Sequence, residues 1–378
     1  MTIIVAIIGL IFLIAIHEFG HMLTAKAFGV RVPEYAIGFG PALFKKKFGE
    51  TTYSFRIILL GGFARIAGMG GDDGSATGME RDGDGPRRMD GRPLDEEPAP
   101  DTYYAKPLWK RALIIFAGPA VNIAFAALLL AALYTVQGVP TQSVDELDPV
   151  VRITTEDSLA EEVGVRPGDR MVAVDGESVG SWEGFTRAVE NKEPGDEVSL
   201  TIERDGERRT LSGELGSAPG DPERPLVGIS PEVGDISHSP LLGIWAGIEQ
   251  TGRIIWLQLW GLYSVLTGQL DFFDNVTGPV GNVAIGSEII SAGVVQAVSL
   301  LAIISAVLGV MNLLPILPLD GGHLLFIAAE KIKGRPISEE TMGKVALVGL
   351  MLVLALMLFA TYADLSKIFT GQPFIPER

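Results

Sequence analysis

The chain has 378 residues, 47% of them hydrophobic, with a mean hydropathy of +0.32 and a formal net charge of −16. That apolarity excludes an ordinary soluble protein with this many acids, and the negative balance argues against nucleic acid, whose phosphates call for a basic face. Cysteine is absent, so disulfides and thiolate metal sites are excluded; metal ligands must come from Asp, Glu or the four histidines His17, His21, His238 and His323.

The first element expected is a membrane helix within residues 1–30, spanning about Thr2 to Leu23. Met1–Ile16 carry no charge. The segment lacks the basic start and small-residue cleavage site of a signal peptide, so it reads as retained. It holds His17-Glu18-Phe19-Gly20-His21. A strongly polar residue at the centre of a membrane helix costs about 2.5–3.5 kcal/mol, so something must compensate. H-E-x-x-H sets two imidazoles one turn apart on one helix face, where they can grip one zinc ion.

Residues 31–67 read as a membrane-associated β region. Thr51–Ile66 is β-branched and aromatic with a break at Gly61-Gly62, which predicts one or two strands. Residues 68–105 follow as an acidic, Gly-rich insert, with Gly68–Pro100 expected to be disordered and cytoplasmic. A second span is expected over Leu108–Val136, within 106–137.

Residues 144–231 read as a small soluble α+β domain. Val151-Arg152-Ile153, Arg170–Val174, Glu197–Glu203 and Arg208–Leu215 are strand-like; Asp175-Gly176 and Asp205-Gly206 are turn signals; Trp182–Val189 is a short helix. In 240–268, Leu241–Leu266 is apolar and aromatic but carries Glu249, Gln250, Arg253 and Gln258. It is expected to be an amphipathic helix at the outer interface. The third span is placed at about Gly293–Leu314, within 269–323, and the fourth at about Val345–Tyr362, within 341–365.

Basic residues in short loops set the orientation. Lys26, Arg31 and Lys45–Lys47 follow the first span, Lys106, Lys110 and Arg111 open the second, and Lys331, Lys333 and Arg335 follow the third. All are expected in the cytoplasm. The termini and the α+β domain then lie outside, in a multi-pass protein of the cell's inner or plasma membrane.

Two histidines leave a hydrolytic zinc site one protein ligand short. The third span ends in Asn312-Leu313-Leu314-Pro315-Ile316-Leu317-Pro318-Leu319-Asp320-Gly321-Gly322-His323. Two prolines break the helix there, and irregular backbone at membrane depth is tolerated only where it is buried or lines a wet cavity. Asp320, at the depth of His17 and His21, is the expected third ligand, though it could instead cap a helix. Glu18 is the expected general base. Asn312 would hold substrate backbone or an oxyanion, or bridge helices. His323 either supports a ligand from behind or is structural, and His238 reads as a solvated side chain.

His-Glu-Phe-Gly-His with Asn-Leu-Leu-Pro and Leu-Asp-Gly-Gly-His resembles the site-2 protease family of intramembrane zinc metalloproteases. Tyr35–Pro41, Leu60-Gly61-Gly62-Phe63, Ala117-Gly118-Pro119-Ala120-Val121-Asn122 and Gly278-Pro279-Val280-Gly281 are similar to segments of bacterial members with an extracytoplasmic PDZ domain. Val165–Arg170 with Val174-Asp175-Gly176 resembles the core of that domain. The second proline, Pro318, stands one place later than is usual in the family.

The resemblance implies a mainly α-helical polytopic membrane protein with about four transmembrane helices, a membrane-associated β-hairpin and an inserted α+β PDZ-like domain. It implies Zn2+ as cofactor and, as partners, transmembrane protein substrates pre-cut by another protease, such as anti-sigma factors or remnant signal peptides. The PDZ-like domain would act as a size filter or bind a freshly exposed C-terminus. A helical substrate hides its peptide bonds, so it must unwind; Thr51–Ile66 would then pair with it by β-addition. Phe55, Ile57, Gly61 and Gly62 are the substrate-binding residues expected there, while Asn122 serves either packing or substrate gating. Two other functions compete: a catalytically silent membrane PDZ protein, and a metal-ion transporter. The first calls for loss of His17, Glu18, His21 or Asp320, all present; the second calls for inverted repeats, which the sequence does not show.

Overall fold

The computed structural model describes residues 2–69, 99–140, 147–155, 158–218, 221–231, 236–269 and 277–370. Most of the expected insert, residues 70–98, lies outside them. The chain forms two compact units, one of Met1–Leu133 with Ile244–Thr370 and one built on Tyr134–Gly243.

The first unit holds the four expected spans: α1 (Thr2–Ala27), α2 (Leu108–Gln137), α7 (Val294–Asn312) and α9 (Glu339–Thr370). Each is long and apolar enough to cross a membrane. Large apolar side chains such as Ile8, Leu128, Ile303 and Leu358 stand exposed on them. On a soluble protein such faces would aggregate; on a span they meet lipid. Pro119 sits inside α2, a position that membrane helices tolerate more readily than soluble ones.

Between α1 and α2 lie two long strands, β1 (Glu34–Phe48) and β2 (Thr51–Arg65). Their register folds them into short segments lying side by side. Glu34–Ile37 faces Arg65–Gly62 on one flank and Thr52–Phe55 on the other, and Thr51–Phe55 also pairs with Phe48–Phe44. The Thr52–Phe55 segment is therefore bordered on both sides, and Gly62–Arg65 forms an outer edge. Glu34 ties the segments together through Ser54 and Arg56 (2.8 and 2.6 Å) and Arg65 (3.4 Å). A core of Met22, Ala25, Val30, Val32, Tyr35, Ile66, Ile114, Ile115 and Ile327 binds this β region to the ends of α1 and α2 and to α8 (Asp320–Lys333).

α5 (Pro240–Leu266) is one continuous helix; Gly247, Thr251 and Ser264 on it are buried, and Gln258 Nε2 donates to Val307 O of α7 at 3.5 Å. α6 (Pro279–Ser291) packs on α1, α7 and α9. Its first turn is held by Asp364 of α9, fully buried, whose carboxylate accepts from Gly278 N (2.9 Å) and Gly281 N (2.8 Å). This places a carboxylate at the positive end of a helix.

The second unit is the expected α+β domain. Its sheet runs β6 (Glu177–Ser178), β5 (Arg170–Val174), β7 (Glu197–Arg204), β8 (Glu207–Glu214). Asp175 and Asp205 take positive φ at the predicted turns, each followed by glycine. β7 alternates Val198, Leu200 and Ile202 inward, against Trp182, Phe185 and Val189 of α4 (Trp182–Glu190). Ser181 caps α4 by accepting from Gly184 N at 3.2 Å.

Candidate metal centre

His17 and His21 lie near the end of α1 and are buried at 9% and 6% exposure. The two prolines end the run after α7, and α8 opens on Asp320, which brings its carboxylate back to α1. Asp320 Oδ2 lies 3.1 Å from His17 Nε2 and 3.4 Å from His21 Nε2, and the two Nε2 atoms are 3.3 Å apart. Among the described residues these three form a cluster able to hold a metal ion.

The protonation pattern inside the cluster follows from its outer contacts. His21 Nδ1 is 2.8 Å from the carbonyl of Ile114 in α2. A carbonyl only accepts, so Nδ1 carries a proton, and in the neutral ring that binds a metal Nε2 turns a lone pair inward. There it faces Asp320 Oδ2, a buried oxygen with no hydrogen-bond donor. Lone pairs facing one another at this range repel unless a cation lies among them. Ligand atoms about 2.0–2.1 Å from one ion at tetrahedral angles stand about 3.3–3.4 Å apart, and the three separations, 3.1–3.4 Å, lie close to that edge. Two imidazoles and a carboxylate, with no thiolate in the chain, are a donor set that fits catalytic zinc.

Gly118 of α2 is what lets His21 sit there: a Cβ built on it would clash with the imidazole, 2.6 Å from Cε1 and 2.8 Å from Cδ2. Glu18 points elsewhere. Its Oε2 accepts from the amide of Ala64 in β2 at 3.0 Å, which holds the carboxylate against the β edge.

The other expected site residues fall as follows. Gly62 lies against α1; a Cβ there would meet Ala36 O at 2.8 Å, Ile14 Cγ2 at 3.3 Å and Glu18 Cγ at 3.4 Å. Gly61 lies beside it, its missing Cβ leaving room for the Phe39 ring. Phe55 and Ile57 are 37% and 55% exposed, in and just beyond the segment bordered on both sides. Asn312 donates to Leu308 O of its own helix at 3.0 Å. Asn122 is 1% exposed and sets its amide 3.5 Å from His17 Nδ1. His323 lines a small cavity with Tyr103, Tyr104, Arg111 and Glu330, and His238 is exposed.

Two features escape sequence reasoning. One is the Ala64 amide, because a backbone N–H leaves no mark in the residue type. The other is the buried pair of Arg111 in α2 with Glu330 in α8, joined at 2.8 and 2.7 Å. Its signal was present: a guanidinium just inside an apolar helix needs an acid at its depth.

Residues 5–356 match the sequence pattern of "Peptidase family M50". The chain is 31% identical to "Zinc metalloprotease RasP" of Shouchella clausii, over 95% of this chain and 97% of that one. It is 28% identical to "Regulator of sigma-W protease RasP" of Bacillus subtilis, over 94% and 96%. Among solved structures, the PDZ domain of an SdrC-like protein from Listeria monocytogenes matches 24% of this chain and 92% of its own, at 21% identity and a TM-score of 0.21. The chain belongs to peptidase family M50, the site-2 protease family, and is an intramembrane zinc metallopeptidase.

Proposed function

We propose that the protein cleaves membrane-spanning segments of other proteins, with His17, His21 and Asp320 as zinc ligands and Glu18 as general base. The observation that carries this reading is the convergence of three lone-pair donors at 3.1–3.4 Å, with Glu18 beside them on the β edge. Bound there, zinc supplies a Lewis acid that polarises a peptide carbonyl and acidifies water.

The chain's own residues do the rest. A substrate strand pairs along the outer edge at Gly62, which holds an unwound peptide bond beside the cluster. Glu18 takes the proton of the attacking water and hands it to the departing amine nitrogen. Asn312 is the expected donor for substrate backbone at the mouth of the broken helix. The lipid-facing spans keep bulk water away.

The substrates are single-span proteins already shortened by another protease, in keeping with the sigma-W regulator named among the relatives. The basic clusters around Lys26, Arg111 and Lys331 gather at the end of the bundle that carries the metal cluster, as the Arg111–Glu330 pair and the Phe28–Trp109 ring contact attest. That supports a site near the cytoplasmic face, with the α+β domain outside.

The test is cleavage of a single-span reporter by the wild type and Glu18→Gln, with zinc content measured on both. The expected result is equal zinc and loss of cleavage in the variant. Equal cleavage would sink the role of Glu18, and absence of zinc from both would sink the site.

A further inference from the structure

The β2 edge that borders Glu18 carries two sets of outward backbone groups. In an antiparallel ladder, residues two apart turn their N–H and C=O to the same side. Ala64 pairs with Tyr35 and Gly62 with Ile37, and the Ala64 amide leaves the ladder to donate to Glu18. Gly62, two residues away, must therefore present its own N–H and C=O on that same open side. An added strand would have use for both positions, yet one of them is taken by the carboxylate.

We propose that the backbone amide of Ala64 is the positioning group for Glu18, and that the edge is thereby divided: Gly62 receives substrate backbone, while Ala64 holds the general base. This rests on the reading of Glu18 as base. Two observations support it. The bond, at 3.0 Å, joins an amide to a carboxylate, a pairing stronger than the amide–carbonyl bond a substrate would offer. The β region is pinned to the same stretch of α1 by Tyr35, whose hydroxyl donates to Ala15 O at 2.6 Å, so the edge and Glu18 are held in one frame.

A register follows from the division. The substrate strand ends its pairing at Gly62, and the peptide bond that lies just past this point is the one presented to Glu18. Backbone, not side-chain identity, then sets the cut. Substrates unrelated in sequence are cut at the same distance from the point where they join the edge.

The test uses the full chain in detergent, with Ala64→Gly, which keeps the N–H, and Ala64→Pro, which removes it. Proline is tolerated on an edge strand where its nitrogen faces away from the ladder, and Phe63 before it is already extended. The expected result is a far smaller loss for Ala64→Gly than for Ala64→Pro. For Ala64→Pro, zinc content is unchanged, KM stays within about twofold and kcat falls about 100-fold, the scale of a misplaced catalytic group. A raised KM with unchanged kcat would give the amide to the substrate instead and overturn the proposal, as would unchanged kinetics.

If Ala64→Pro does not fold, hydrogen exchange decides alone: Glu18→Ala should speed exchange in the segment Gly62–Ile66, and unchanged exchange overturns the proposal. Failure of the function itself reads differently, as equal cleavage by wild type and Glu18→Gln.

Discussion

His17 Nε2 and Asp320 Oδ2 lie 3.1 Å apart, although the whole α+β unit separates them in the sequence. Together with His21 Nε2 they are the three ligand atoms placed to share one metal ion. Replacing Asp320 by Ala leaves two neutral imidazoles, a donor set that holds zinc far more weakly. The expected outcome is loss of bound zinc on dialysis against a mild chelator and loss of reporter cleavage, in a chain that still inserts in membranes. Metal analysis of dialysed protein checks it.

Gly118→Ala tests the same centre from behind. A single methyl at this position occupies space the His21 ring now fills. His21 would have to turn, breaking its bond to Ile114 O and withdrawing Nε2 from the cluster. Zinc retention should fall with little change in helix content, measured by metal analysis and far-UV circular dichroism. A variant that keeps its zinc would show that α2 can retreat.

The candidate metal cluster was legible in the sequence because its chemistry is carried by residue types that lipid otherwise rejects. His17, His21 and Asp320 announce themselves, and the two prolines before Asp320 announce the break that turns it inward. The four spans followed from hydropathy, and the β7 and β8 strands from alternation about Asp205-Gly206. What composition cannot carry is the path of the β region. Thr51–Ile66 reads as strand, but only tertiary pairing decides that Thr52–Phe55 is bordered twice and Gly62–Arg65 once. The partner of Arg111 was hidden for a similar reason, since Glu330 looks like an ordinary surface acid near the lysines that end α8.

The Arg111–Glu330 pair links the start of α2 to the helix that opens on Asp320. Tyr103 and Tyr104 cover the guanidinium, 4.9 and 4.5 Å from their ring centres. Removing one partner leaves a buried charge without compensation, a loss of about 3–5 kcal/mol. Arg111→Met and Glu330→Leu should each lower the thermal midpoint in detergent, and the double variant should recover much of it. Two equal, additive losses would show that the pair is solvated.

In the α+β unit, Asp169 gives a pH dependence of known sign. Burial alone would raise its pKa, but two bonds from Arg204 (both 2.7 Å), one from the amide of Arg166 (2.7 Å) and the nearby guanidinium charges outweigh it and hold the carboxyl below its usual range. A depressed pKa contributes stability above the unfolded value of about 3.9, lost as the pH falls through the folded one. Protection of β5 and β7 against hydrogen exchange, corrected for the intrinsic rate, should thus hold from neutrality to about pH 4 and decline below it. Asp169→Asn should remove this decline and weaken the unit at pH 7.

Asn122 carries the last prediction. Its amide stands 3.5 Å from His17 Nδ1, and its oxygen is buried without a donor. The two ends of a carboxamide are assigned by the bonds they make. With the nitrogen toward His17, Nδ1 must accept, and the ring proton sits on Nε2, inside the cluster. Turned over, the oxygen accepts from Nδ1–H, its unmet need is filled, and Nε2 offers a lone pair to a metal. The second arrangement is the one zinc requires, so metal binding and the amide's orientation are linked. Asn122→Ala should weaken zinc binding about 10–100-fold, the usual cost of losing a group behind a ligand. Asn122→Asp, whose carboxylate can only accept, should retain it. Chelator competition on the three proteins measures the difference; weak binding by Asp as well as Ala would mean that Asn122 serves helix packing rather than the orientation of His17.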